Sequence, residues 1–278
     1  MSYYKTNEIE ISIKNLKKGF DDNLVLNAID LDIHRGEIVA IVGGSGCGKT
    51  VLLKHILGQL KPDSGEVLVA NHETDPAQLT KLNSIDEQEM SLIHTHWGVV
   101  FQNNALFSGS VMDNMALWLD EIKNLSTAEI KPIATHALQS VGLPITDEFL
   151  SMPITDLSGG MAKRLAVARA IAMNPNVIFY DEPTTGLDPA SAMQIHDLII
   201  ATHKNNKGKG KSGERTSIII THDKDLLKRI SPRIVMLHDG HVYFDGTLQE
   251  FEKSNSQFIK PYFENMGKLH QREAPSVP

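Results

Sequence analysis

Apolar and polar residues alternate from Ile9 to Leu16 and again from Leu24 to Ile33, the period-two pattern of strands with one covered face. Ile38 to Val42 (IVAIV) is instead a continuous β-branched run, which predicts a strand buried on both faces. It gives way to a glycine-rich turn, and apolar residues then recur at helical spacing from Val51 to Leu57. Further along, Trp97–Phe101 reads as a strand, and a helix-dominated stretch runs to about Leu157. Met161–Met173 reads as an Ala-rich helix with Lys163, Arg164 and Arg169 on a polar face. Val177–Tyr180 is a second buried strand, Asp188-Pro189 caps the next helix, and Ser217–Ile220 is the strand after it. Helix starts are also predicted at Asp75-Pro76, from a proline at the first helical position, and at Ser126-x-x-Glu129, a capping box. Strands alternating with helices predict an α/β fold with a mostly parallel sheet and helices on its faces.

A length of 278 residues suits one large domain or two small ones. With 27 Lys and Arg against 34 Asp and Glu the net charge is −7, which argues against a chain that binds nucleic acid over its whole surface. Cys47 is the only cysteine, so no intramolecular disulfide forms, and a reducing compartment is expected. The longest uncharged run, Met90–Met112, holds His94, His96, Gln102, Asn103 and Asn104, too many polar groups for a lipid core. Met1-Ser2-Tyr3-Tyr4-Lys5 lacks the apolar core of a signal peptide. The expectation is a soluble chain that acts on any membrane from the side. His203–Arg215, rich in lysine and glycine, reads as a solvated, mobile loop, with contact to anionic lipid or RNA as the alternative.

Three segments carry chemistry. Gly43 to Thr50 fits G-x-x-x-x-G-K-[ST] between a predicted strand and a predicted helix. Glycines let backbone N–H groups face phosphates, and the helix N-terminus adds partial positive charge. Lys49 can then reach the β- and γ-phosphates while the Thr50 hydroxyl ligates Mg²⁺. Cys47 is a spacer in this motif, expected to pack rather than to react, though it is a point of attack for thiol reagents. The strand Val177–Tyr180 runs into Asp181-Glu182: Asp181 suits a Mg²⁺ carboxylate, and Glu182 is placed to polarise an attacking water. Leu157-Ser158-Gly159-Gly160-Met161 opens a helix with small residues, a second anion site. His94-x-His96 alternates on a possible strand, but no third ligand follows at a metal-site interval, so no zinc site is predicted.

On these residues the chain resembles the ATP-binding cassette (ABC) ATPases, in which an LSGG signature precedes the Asp-Glu strand. The likeness extends through Gln102 after a strand, Gly186-Leu187-Asp188 after the acidic pair and His222 after Ser217–Ile220. Phe20 stands where that family keeps an adenine-stacking aromatic, and the resemblance covers roughly Ile9 to Thr247. It implies a P-loop NTPase (RecA-like) α/β core with an antiparallel β subdomain and an α-helical subdomain at about residues 105–160. Residues 1–247 would form the ATPase domain and 248–278 a C-terminal extension. The implied cofactors are ATP and Mg²⁺. Phe20, Gly43, Ser45, Gly46, Cys47, Gly48, Lys49, Thr50 and Val51 would contact nucleotide, and Thr50, Gln102 and Asp181 would serve the metal. Glu182, His222, Gln102 and Lys49 would carry catalysis. In this family two cassettes pair head to tail, so Ser158, Gly159 and Gly160 of one subunit would meet ATP held by Lys49 of the other. Asp188 would signal between the two sites of a homodimer, and Gln102 would link metal and water to a loop facing a membrane partner.

Phe101-Gln102-Asn103-Asn104-Ala105-Leu106-Phe107 is similar to the FQ-x-x-ALF stretch of ATPases in Mla-type, or mammalian-cell-entry (MCE) type, lipid transporters. Leu157–Arg164 and Tyr180–Pro189 resemble the same class, with Met161 where the wider superfamily has Gln. The implied function is an ATPase subunit that powers phospholipid transport from the cytoplasmic face of the inner membrane. Permease, lipid-binding MCE protein and an accessory regulatory subunit would be separate chains, with no nucleic acid partner. The rivals are a cassette for another solute and a cassette working on DNA or ribosomes. A single cassette without heptads between Lys49 and Ser158 favours transport. Two features depart from the class. Pro153 lies four residues before Leu157 where three are expected, and the Lys-rich segment lengthens the stretch from Glu182 to His222. Phe258, Tyr262, Phe263, Met266 and Leu269 fall at near-helical spacing with a helix start expected at Pro261, which predicts a short amphipathic helix packed on its own domain or, alternatively, against a second subunit.

Overall fold

The two alternating segments pair with each other. β1 (Ile9–Phe20) and β2 (Asn23–His34) run antiparallel with Ile11 opposite Ile33 and Ile13 opposite Leu31. β4 (Ser64–Asn71) lies on the other side of β1, and β5 (Gln78–Lys81) pairs with β4, giving the antiparallel order β2-β1-β4-β5. One face of this sheet is covered: Ile11, Ile13, Leu16, Leu31, Ile33, Val67 and Val69 are buried. Each such side chain contributes roughly 1.5–3 kcal/mol by leaving water.

This computed structural model describes residues 8–21, 23–204 and 215–266. The chain divides into two units, Met1–Ile93 with Thr216–Pro278, and His94–Arg215. In the first unit β3 (Ile38–Val42) runs parallel to both β8 (Thr216–Ile220) and β9 (Arg233–His238), and β10 (His241–Thr247) is antiparallel to β9. The IVAIV run is buried from Val39 to Val42, as a strand with two parallel neighbours requires. α1 (Lys49–Ile56) follows β3, and Asp223 caps α8 (Lys224–Ile230) by accepting the Asp225 and Leu226 N–H groups. α9 (Leu248–Glu252) and α10 (Ile259–Asn265) end the described chain. Phe251, Ile259 and Met266 pack with Ala40, Val42, Ile234 and Met236, so the tail helix covers the face of β3 and β9 in its own unit. It begins two residues before Pro261, and Leu269 lies outside the described residues.

In the second unit β6 (Trp97–Val100) and β7 (Val177–Asp181) are parallel, with Trp97 opposite Val177. Helices α3 (Val111–Glu121), α4 (Thr127–Ser140), α5 (Asp147–Ser151) and α6 (Gly159–Ala172) lie between these strands in the chain and α7 (Pro189–Lys204) follows β7; α6 packs on β6 and against α3, α4 and α7. The Ser126–Glu129 capping box is present, and the Ser126 hydroxyl and N–H hold the Glu129 carboxyl below the usual range. Pro153 makes an isolated antiparallel bridge with Ser110 at the start of α3. No helix among the described residues is long and apolar enough to cross a membrane.

Two expectations fail. Asp75-Pro76 starts no helix: the segment bends, Thr74 Oγ1 accepts the Gln78 N–H, and the chain enters β5. The helix that follows, α2 (Glu87–His94), is opened by Asp86, whose Oδ1 accepts from Gln88 and Glu89 at 2.9 Å each. His94 ends that helix beside the Trp97 ring, while His96 lies 3.2 Å from Asn176 Oδ1, so the two histidines do not alternate on one strand. Of the Lys-rich segment, residues 205–214 lie outside the described part. Its ends are not loop-like: His203 is buried within α7, and Arg215 is buried with donors on the Pro175 and Thr202 carbonyls.

Candidate nucleotide site

In the first unit Gly43 leaves β3 with φ +147°, where a Cβ would lie 2.4 Å from the Leu237 carbonyl oxygen and 2.6 Å from Cys47 Sγ. At Gly48 φ is +100° and a Cβ would lie 2.7 Å from Leu26 Cδ2. Only glycine fits either end of the loop. Gly44, Ser45 and Gly46 between them are exposed. Gly48 caps α1 without a side chain, and the first turn carries no acidic residue. Its amides and the positive end of the helix are thus left to an anion. Lys49 Nζ donates to the carbonyls of Gly43 (2.8 Å) and Gly44 (3.0 Å), which holds the ammonium over the loop, and Thr50 is exposed one residue on. Glycine clearance, helix amides and a held cation fit a polyphosphate. Cys47 Sγ sits 3.9 Å from Lys49 Nζ and against Gly43, a packing position.

Phe20 ends β1 with 44% of its surface exposed, as a ring that stacks on a base requires. Lys18 Nζ lies 5.4 Å from its centroid and is itself tied to Asp63 at 2.7 Å, while the other Asp63 oxygen takes the Gly19 N–H. His222, half-buried, lies two residues after the end of β8 and precedes the cap of α8.

In the second unit β7 delivers Asp181 and Glu182, both half-buried. Glu182 has φ +46°, so the chain turns sharply there, and Thr185 Oγ1 donates to Glu182 Oε2 at 3.4 Å. Asp188 then caps α7, accepting the Ala190 and Ser191 N–H groups and the Ser191 hydroxyl, which keep its carboxyl below the usual range. Ser191 in turn abuts Gly160, where a Cβ would lie 3.0 Å from its hydroxyl. The turn that bears Asp188 and the Ser158–Gly160 turn are therefore packed together. Ser158 caps α6 by accepting the Met161 N–H at 3.2 Å, and Gly159 is exposed beside it.

The polar face expected on α6 is absent. Lys163 is 1% exposed and Arg169 8%, and both point at the loop that carries Gln102. Lys163 Nζ donates to the carbonyls of Phe101 (3.2 Å) and Gln102 (2.8 Å). Arg169 donates to those of Ala105 (2.8 Å) and Asn104 (3.1 Å), and its guanidinium lies 5.3 Å from the Phe107 ring centroid. Buried cations persist because loop carbonyls satisfy them. The signal available in the sequence was that neither has an acidic residue one helical turn away, as an exposed pair would.

Burial pushes the Lys163 ammonium down from 10.5 to about 8, and the Asp181 carboxylate offsets part of that. Between about pH 8 and the usual lysine range near about 10.4 the unfolded chain therefore binds more protons than the folded one. Over that window the wild type gains stability with rising pH relative to Lys163→Met, which urea unfolding at several pH values will measure. Parallel pH profiles for the two proteins would contradict this placement.

Residues 26–185 match the family model described as ABC transporter. The chain belongs to that family. This ABC ATPase is 36% identical over 259 residues to the intermembrane phospholipid transport system ATP-binding protein MlaF of Haemophilus influenzae, with 91% of each chain covered. It is 32% identical over 259 residues to the probable amino-acid import ATP-binding protein YxeO of Bacillus subtilis, covering 92% of this chain and 97% of that one. Among solved structures, the dimeric post-hydrolysis state of the ATP-binding cassette MJ0796 with ADP and Pi is 30% identical with a TM-score of 0.71, over 86% of this chain and 98% of the other. The chain is accordingly the ATP-binding, ATP-hydrolysing subunit of an ABC transporter, with the α/β cassette fold expected from its motifs. The cargoes named for its relatives differ, so the family alone does not fix the solute.

Proposed function

We propose that this ABC ATPase powers phospholipid transport, acting as a homodimer beneath a separate membrane permease of the Mla/MCE type. The observation that carries the reading is the anchored apolar loop. Phe107 is 43% exposed, packs edge-on at 5.8 Å against Trp118, itself 39% exposed, and is fixed by Asn114, which accepts its N–H and donates to its carbonyl. With Leu106 beside it and Arg169 beneath, the FQNNALF segment offers a fixed apolar contact to a membrane subunit. Its wording, and the likeness to a phospholipid-transport ATPase, support lipid as the cargo. An MCE-type lipid-binding protein and an accessory regulatory subunit complete the proposed assembly, peripheral at the cytoplasmic face.

In this reading Lys49 and the loop amides from Gly44 to Thr50 grip the triphosphate, Phe20 stacks on the base, and His222 holds the γ-phosphate. Thr50, Asp181 and Gln102 would hold Mg²⁺, which neutralises phosphate charge. Glu182 takes the proton of the attacking water. Ser158–Gly160 of the second subunit close on the nucleotide, and Asp188 reports between the paired sites. The γ-phosphate is then the contact both subunits share, so its loss opens the dimer.

Purification from detergent-solubilised native membranes tests this. A multi-pass permease with bound phospholipid is expected, and Leu106→Asp is expected to lose it. Ribosomal proteins or DNA in its place, or a permease carrying another solute, would overturn the lipid reading. Retention of the permease by Leu106→Asp would overturn the docking role of the loop.

A further inference from the structure

The first glycine of the phosphate loop is held from the far end of the chain. The Gly43 N–H donates to Tyr262 Oη at 3.0 Å, while the Gly43 carbonyl accepts from Lys49 Nζ at 2.8 Å. Tyr262 belongs to α10, outside the residues 26–185 that match the family model. That helix is itself firmly seated. Ile259 and Met266 are buried against a cluster that includes Ala40 and Val42 of β3, the strand that ends in the loop. Lys224 Nζ donates to the Phe263 carbonyl at 3.1 Å and lies 4.0 Å from the centroid of the Phe263 ring. Lys224 opens α8, two residues after His222.

We propose that Tyr262 is a positioning residue for ATP binding, and that α10 braces the phosphate loop against the segment that follows His222. Gly43 is buried at φ +147°, a conformation with no helix or strand partner for its amide, and a buried N–H left without an acceptor is costly. The phenol oxygen meets that need from outside the loop. The loop can then keep its other amides turned toward a phosphate instead of folding back to satisfy Gly43. Half-burial of Tyr262, on a helix with its own apolar seat, keeps the oxygen in place.

The proposal rests on reading Gly43–Thr50 as the phosphate loop, and the experiment separates the two. In the full chain, Tyr262→Phe keeps the ring and removes only the hydroxyl. ATP Kd and KM are expected to rise about 3–10-fold, the worth of one hydrogen bond, with kcat within about twofold. A merely structural role would lower the melting temperature without nucleotide and leave the KM-to-kcat split unmoved. Wild-type ATP affinity in Tyr262→Phe overturns the brace if Lys49→Ala still loses ATP binding. If Lys49→Ala binds ATP as the wild type does, the reading of the loop itself falls.

Discussion

Glu182→Gln is expected to bind ATP, to dimerise on it, and to turn it over about 10²–10⁴-fold more slowly, the range for loss of a general base. Glu182 sits at the end of a buried strand in a left-handed conformation, with Thr185 donating to its carboxylate. An amide keeps the length and shape of the side chain and can still accept from Thr185, so the turn survives. It cannot accept a proton from water. The lost function is therefore the chemical step alone, and ATP-bound dimer accumulates because the shared phosphate is not cleaved. Phosphate release, with size-exclusion chromatography in ATP, measures both halves of the expectation. Near-normal turnover would remove Glu182 from this role.

Lys49→Ala fails at the preceding step. Lys49 is the only charged side chain between Gly43 and Thr50, and its ammonium is already directed across the loop by two backbone carbonyls. Its removal takes away charge-assisted hydrogen bonds to phosphate and leaves those carbonyls facing the anion. An ATP Kd about 10–100-fold weaker is expected. Calorimetry or fluorescent-nucleotide titration reads it, and unchanged affinity would count against the loop as the phosphate grip. The two variants are complementary: one binds and hydrolyses slowly, the other hydrolyses little because it binds weakly.

What could be read from the sequence was what local chemistry decides. The β-branched runs of β3 and β7, the glycines at 43 and 48, the capping box at Ser126 and the Asp188 cap each follow from a few neighbouring residues. The features that escaped depend on partners far along the chain. Lys163 meets a carbonyl 62 residues away, which no helical-face pattern reveals. Gly43 meets Tyr262 at a separation of 219 residues. Asp75-Pro76 misled because a proline that can start a helix can equally sit in a bend, and pairing of Gln78–Lys81 with β4 decided between them.

The buried cations of α6 have a mechanical consequence. One helix begins at the Ser158–Gly160 turn and, along its length, grips residues 101–105 through Lys163 and Arg169. At 1.5 Å per residue its 14 residues span about 21 Å without a joint. In the proposed assembly, a tilt given to its first turn by the second subunit would be carried to Leu106 and Phe107 through these hydrogen bonds. In the proposed assembly α6 is a lever, and swapping either buried cation for a shorter side chain would leave the nucleotide end moving while the membrane end idles.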